Sequence, residues 1–210
     1  MAGWINPVYL EEESQKQIQE QFEAESQISL HKFLLEEKFQ TLREFVESLN
    51  ADNWSVQSPP HQRYYQAHAL NSSDKTILGE FYQVLRSPEF FELLKKLTDL
   101  DLARYFAELQ KVENGFFTLM HDGDTRRLVS AMDCFFYIID PELAWDEGWG
   151  GYSSYNDEEG ELLTVTPCGN TLSLVYCDEG TSRFTKFLNY HVPATLYKIY
   201  MLTAEKEDSN

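Results

Sequence analysis

Residues 118–140 read TLMHDGDTRRLVSAMDCFFYIID. The part RRLVSAMDCFFYIID is a candidate β-strand that ends at Asp140-Pro141, because proline cannot continue a ladder. A histidine and two aspartates, His121, Asp122 and Asp124, stand at the mouth of that strand. A mononuclear non-haem iron site takes two histidines and one carboxylate on one face of the metal. His-x-Asp at a strand end presents the first two. Here Asp122 is adjacent to His121 and points the other way in an extended chain. Asp124 stands one residue too far, and a bulge would bring it back.

Helix signals dominate before this stretch. EEESQKQIQEQFEAE (11–25) is rich in helix formers, with Ile18 and Phe22 four apart. SQISLHKFL alternates through Ile28 and Leu30 as a short strand. LEEKFQTLREFVESLN is an amphipathic helix, with Phe39, Leu42, Val46 and Leu49 on one face. Pro59-Pro60 excludes helix and predicts extended flanks. SSDKTILGEFYQVLRS carries Ser/Asp cap candidates, and SPEFFELLKKLTDL follows with Ser87 as N-cap and Pro88 at the first helical position. Strand signals dominate afterwards. RYFAELQKVENGFFTLMHD turns at Asn114-Gly115, TVTP and TLSLVYC flank Cys168-Gly169-Asn170, and RFTKFLNYH and TLYKIYMLTA complete the series. Helices first and strands second predict an α+β fold. The expected organisation is one domain over 1–204 and a polar tail, EKEDSN, over 205–210.

The chain has 210 residues, 42% hydrophobic and 14% aromatic, which suffices for a core. Its three cysteines, Cys134, Cys168 and Cys177, lack metal-ligand spacing; with no signal peptide pattern, they predict a reducing, intracellular compartment. No apolar run approaches the roughly 20 residues of a membrane span. A net charge of −18 disfavours nucleic acid and anionic lipid and favours basic partners; the plainer reading is solubility alone. No Gly-x-Ser-x-Gly elbow and no phosphate-binding glycine loop supports hydrolase or nucleotide chemistry.

Several segments, in order, resemble one family. WINPVYL (4–10), SPPHQRYYQ (58–66), SPEFFELLKKLTDL (87–100), NGFFTLMHDGDTRRLVSAMDCFFYIID (114–140), GWGGYSSY (148–155) and ELLTVTPCGNTLSLVY (161–176) follow the second domain of the two-domain prolyl 3-hydroxylases. Those are Fe(II)/2-oxoglutarate oxygenases that also use ascorbate and act on a small-subunit ribosomal protein, with a link to translation. The resemblance implies a double-stranded β-helix (jelly-roll, cupin-like) with N-terminal helices packed on the sheet. It also implies a degenerate, non-catalytic copy of the catalytic domain, with no cofactor expected in this chain. The implied role is a scaffold, regulatory or partner-binding module. Its implied partners are the parent's catalytic domain and a basic ribosomal or regulatory protein, in cytoplasm and nucleus. After FLNYH the family continues through a longer loop into an aromatic-rich strand, and VPATLYKIYMLTAEKEDSN replaces it here. An incomplete last strand would leave an open edge.

A rival reading keeps an atypical iron site on His121, Asp124 and His191. The distal ligand of such a copy falls near Phe184, and an aromatic ring there does not ligate iron. No arginine follows Arg183, so a 2-oxoglutarate clamp would be Lys186 or Lys198. His31, His61 and His68 fit surface or capping roles, since the His61–His68 spacing matches no metal motif. A separate candidate is the loop with Trp145, Trp149, Tyr152, Tyr155, Asp157, Glu158 and Glu159, whose acids and rings suit a basic, extended peptide. A further reading is an acidic binding module for basic proteins, unconnected with hydroxylation.

Overall fold

The computed structural model describes residues 1, 3–57, 65–71, 73–119 and 130–205. The readings made on Pro59-Pro60, His61, His121, Asp122 and Asp124 lie outside them. Four helices come early: α1 (Glu12–Glu25), α2 (Glu36–Ser48), α3 (Ile77–Arg86) and α4 (Pro88–Thr98). The strands are β1 (Gln27–His31), β2 (Ser55–Gln57), β3 (Tyr65–His68), β4 (Leu102–Val112), β5 (Ala131–Tyr137), β6 (Ser153–Asn156), β7 (Glu161–Val165), β8 (Thr171–Cys177), β9 (Ser182–Thr185) and β10 (Leu196–Glu205).

Local chemistry sets the helix ends. Ser87 Oγ accepts the Phe90 N–H at 3.2 Å and Pro88 opens α4, as expected from sequence. For α3 the cap is Thr76, whose Oγ1 accepts the Gly79 N–H at 3.1 Å, rather than an earlier serine or aspartate. Gly79 is required there, because a Cβ would stand 2.2 Å from the Asp74 carbonyl oxygen. Ser26 and Asp99 end α1 and α4 in the left-handed region, where a short polar side chain is tolerated.

A seven-stranded antiparallel sheet runs in the order β1-β8-β5-β10-β4-β3-β2, and a three-stranded sheet runs β7-β6-β9. Strand alternation gives the large sheet two buried faces. On β5, Met132, Cys134 and Phe136 face the helices, together with Leu172, Leu174, Ile199 and Met201 from β8 and β10. Phe136 meets the rings of Phe33, Phe39 and Phe81 at 6.3, 6.2 and 5.2 Å. Each such buried ring contributes about 1.5–3 kcal/mol. The opposite face, with Phe135, Tyr137, Val175, Leu196 and Tyr200, packs on Tyr155 and Val165 of the small sheet. Two stacked sheets with helices on one outer face form the double-stranded β-helix.

Three details differ from the sequence reading. β5 ends at Tyr137 rather than Asp140. β9 is four residues long rather than reaching His191. The final segment forms no ragged edge: β10 pairs with β4 on one side from Leu196 to Glu205 and with β5 on the other from Lys198 to Ala204. The alternation of Tyr197, Ile199 and Met201 against Leu196, Lys198 and Tyr200 lets this strand be buried on both faces. α1 covers its own domain, packing against α4 and β1 through buried Phe22.

Candidate site between the sheets

β5 delivers a carboxylate into the interior. Asp133 is fully buried and sits in register between Val175 of β8 and Leu202 of β10. Among the described residues, groups from three other strands converge on it. Tyr155 of β6 donates to Oδ2 at 2.8 Å, Arg183 Nη1 of β9 to Oδ2 at 2.9 Å, and Tyr200 of β10 to Oδ1 at 2.9 Å. The Arg183 guanidinium lies 4.3 Å from the Tyr200 ring centroid and 5.2 Å from that of Phe135. Burial, the largest single influence, opposes the Arg183 charge, but the Asp133 carboxylate, Tyr200 and Tyr155 together outweigh it and hold the guanidinium well above its ordinary pKa. Burial and then the Asp133 charge push the Tyr155 phenol up, so it stays a donor. The cluster therefore cross-links both sheets with charge-assisted bonds.

A second polar group sits next to it. Lys198 of β10 is 2% exposed, and its Nζ lies 4.9 Å above the Phe135 ring. Glu108 of β4 is buried and accepts from Gln110 at 2.7 Å. Burial, reinforced by the Arg183 charge, pulls the Lys198 ammonium down to about 7, although Asp133 and Glu108 act in the other direction. Burial and then Glu108 push the Tyr65 phenol up.

The described residues do not suit a divalent iron. The inward positions of β9 are Arg183, whose guanidinium carries no lone pair for a metal, and Thr185. The Asp133 oxygens already accept from Arg183, Tyr155 and Tyr200, and the Arg183 charge opposes a cation beside them. Among the described residues no three His, Cys, Asp or Glu side chains form a metal-binding group. His191 is exposed in the loop after β9, its ring 4.0 Å from that of Tyr190 and its N–H bonded to Asn189 Oδ1 at 2.9 Å. It does not reach the interior. Of the two lysines considered for a carboxylate clamp, Lys198 faces the interior and Lys186 is exposed.

The aromatic and acidic loop divides in two. Trp145 and Trp149 meet edge to face at 5.5 Å, both half-buried, and Trp145 Nε1 donates to the Gly150 carbonyl at 2.8 Å. Tyr152 is half-buried beside them in sequence. Tyr155 is corrected from a partner contact to an interior residue: it is 1% exposed and committed to Asp133. Strand alternation explains this, since Ser153 and Tyr155 share the inward side of β6. Asp157, Glu158 and Glu159 are exposed at the β6–β7 turn. Asp157 Oδ1 accepts the N–H groups of Glu159 and Gly160 at 2.7 and 3.0 Å, so it also builds the turn.

The fold defines the class. The chain superposes on a prolyl hydroxylase from Trichoplax adhaerens, solved with a hypoxia-inducible-factor peptide, with a TM-score of 0.68 at 14% identity, covering 92% of this chain and 90% of that one. It superposes on a Pseudomonas putida prolyl-4-hydroxylase with a TM-score of 0.64 at 10% identity, covering 92% and 100%. The fold is thus that of the 2-oxoglutarate/iron oxygenases. Over residues 1–210 the sequence matches the family described as "Oxoglutarate and iron-dependent oxygenase degradation C-term", and the chain belongs to that family. It is 32% identical to the prolyl 3-hydroxylase sudestada1 of Drosophila melanogaster, over 98% of this chain and 43% of that protein. It is 32% identical to the Xenopus laevis prolyl 3-hydroxylase OGFOD1, over 89% and 43%. The chain spans less than half the length of these relatives.

Proposed function

We propose that this chain is a non-catalytic C-terminal domain of a 2-oxoglutarate- and iron-dependent prolyl 3-hydroxylase-like protein, acting as a scaffold, regulatory or partner-binding module. The parent activity is hydroxylation of a ribosomal-protein proline, with Fe(II), 2-oxoglutarate and ascorbate bound by the catalytic half, in cytoplasm and nucleus. The observation that carries this reading is the Asp133–Arg183–Tyr155–Tyr200 cluster. It joins the two sheets through an ion pair whose carboxylate accepts from Arg183, Tyr155 and Tyr200. The exposed acids Asp157, Glu158 and Glu159 and the half-buried Trp145 and Trp149 suit a basic segment of a partner. The parent's catalytic domain is the other partner.

The test is turnover. The purified chain is incubated with Fe(II), 2-oxoglutarate, ascorbate and oxygen, and succinate is followed by NMR. Succinate at the rate of the protein-free control supports the proposal. Faster formation that is lost in His121→Ala overturns it in favour of the atypical site.

A further inference from the structure

The small sheet has one covered edge and one open edge. β9 is covered: the Thr118 N–H donates to the Thr185 carbonyl at 3.1 Å, the Leu188 N–H to the Phe116 carbonyl at 3.0 Å and the Gly115 N–H to the Leu188 carbonyl at 2.8 Å. β7 is the other outer strand and pairs with β6 alone. The Lys186 N–H donates to the Tyr152 carbonyl at 2.9 Å, so Tyr152 turns its carbonyl to the β9 side of β6. Peptide groups alternate sides along a strand; Ser153 and Tyr155 therefore turn theirs to β7, where they meet Val165 and Leu163. Thr164, between those two, points its N–H and carbonyl out of the sheet, and among the described residues no backbone group pairs with them. Edges are commonly blunted by lysine or proline, and Glu161–Val165 contains neither. A register shift leaves Leu162 without a cross-strand partner, and its side chain is 54% exposed.

Charge says what suits this edge. From residue 141 to residue 182 the sequence holds nine acids and no lysine or arginine. Four of them, Asp157, Glu158, Glu159 and Glu161, stand exposed in the turn that leads into β7 and at its first residue. A second copy of this chain would bring another −18 to the same edge, and the two would repel.

We propose that β7 takes up an extended basic segment of a partner protein as an added strand. The proposal rests on the partner-binding role above and gives it a place and a geometry. Main-chain bonds at Thr164 hold the segment, Leu162 meets an apolar side chain of it, and the acids of the turn select lysine and arginine.

The test is amide hydrogen exchange by NMR on the full chain, titrated at low salt with an alternating lysine–threonine peptide. The expected result is saturable binding that weakens as salt is raised, with exchange at the Thr164 N–H slowed several-fold in the complex. Thr164→Pro removes that N–H where an edge strand tolerates proline, and is expected to weaken binding several-fold. Leu162→Lys alters an exposed side chain and is expected to weaken it too; the amide spectrum shows whether each variant is folded. If the peptide binds but Thr164 exchange is unchanged and both folded variants bind as the wild type does, strand addition at β7 is wrong and a basic partner is retained. Absence of binding at low salt overturns both, and the succinate assay reads the non-catalytic role separately. Slowed Thr164 exchange that grows with protein concentration without peptide makes a second copy the occupant and overturns the proposal.

Discussion

Replacing Lys198 with methionine removes a charge that the interior resists. Lys198 is 2% exposed and faces Arg183 of β9, Asp133 of β5 and Glu108 of β4. Its folded pKa of about 7 lies about 3.5 pH units below the ordinary lysine value of 10.5. At about 1.36 kcal/mol per unit, the protonated form costs the fold about 5 kcal/mol. The sign follows from linkage. Between pH 7 and 10.5 the unfolded chain holds a proton on Lys198 that the folded chain has lost, so stability rises with pH. The cost is fully present below pH 7 and fades as pH approaches 10.5. Methionine is similar in length, apolar and flexible, so it keeps the packing without the charge. Urea unfolding followed by tryptophan fluorescence at pH 7, 8 and 9 measures the difference. Lys198→Met is expected to be the more stable protein at pH 7. Its advantage is expected to shrink by about 2 kcal/mol by pH 9. Parallel stability curves, or a variant less stable at every pH, would refute a strained lysine in this position.

Asp133→Ala leaves the Arg183 guanidinium without its carboxylate and is expected to cost about 3–5 kcal/mol. Combining it with Arg183→Met is expected to cost less than the sum of the two single changes, in a double-mutant cycle by urea unfolding. Phe136→Ala is expected to lose about 3–5 kcal/mol, because three rings close around it. Tyr155→Phe is expected to lose about 1–2 kcal/mol of stability through the bond to Asp133 and to leave binding of a lysine-rich peptide unchanged. A loss of peptide binding in that folded variant would return Tyr155 to the surface.

The helical half was legible because its signals are local. The Phe39, Leu42, Val46 spacing and the Ser87-Pro88 start need only a few neighbouring residues, and α2 and α4 form where those signals stand. Strand ends were less legible. β5 is buried on all seven residues, so apolar character continues past its end and does not mark it. The interior cluster was missed for a different reason. Asp133 and Arg183 are 50 residues apart, and Asp133 and Tyr200 are 67 apart. No local pattern pairs them; only the order β8-β5-β10 and the facing of β9 do. One signal was available: an aspartate inside AMDCFFY, a run otherwise suited to burial, demands a buried partner. Lys198 in LYKIYML makes the same demand. Tyr155 was misassigned because composition placed it with the loop aromatics, whereas the two-residue period of β6 turns it inward.

The proposed non-catalytic reading requires that no iron be held between the sheets beside the Asp133–Arg183 pair. Anaerobic titration of the folded chain with Fe(II) and 2-oxoglutarate tests it, with the visible metal-to-ligand charge-transfer band as the readout. No band is expected at any ratio. A saturable band that disappears in His121→Ala contradicts it.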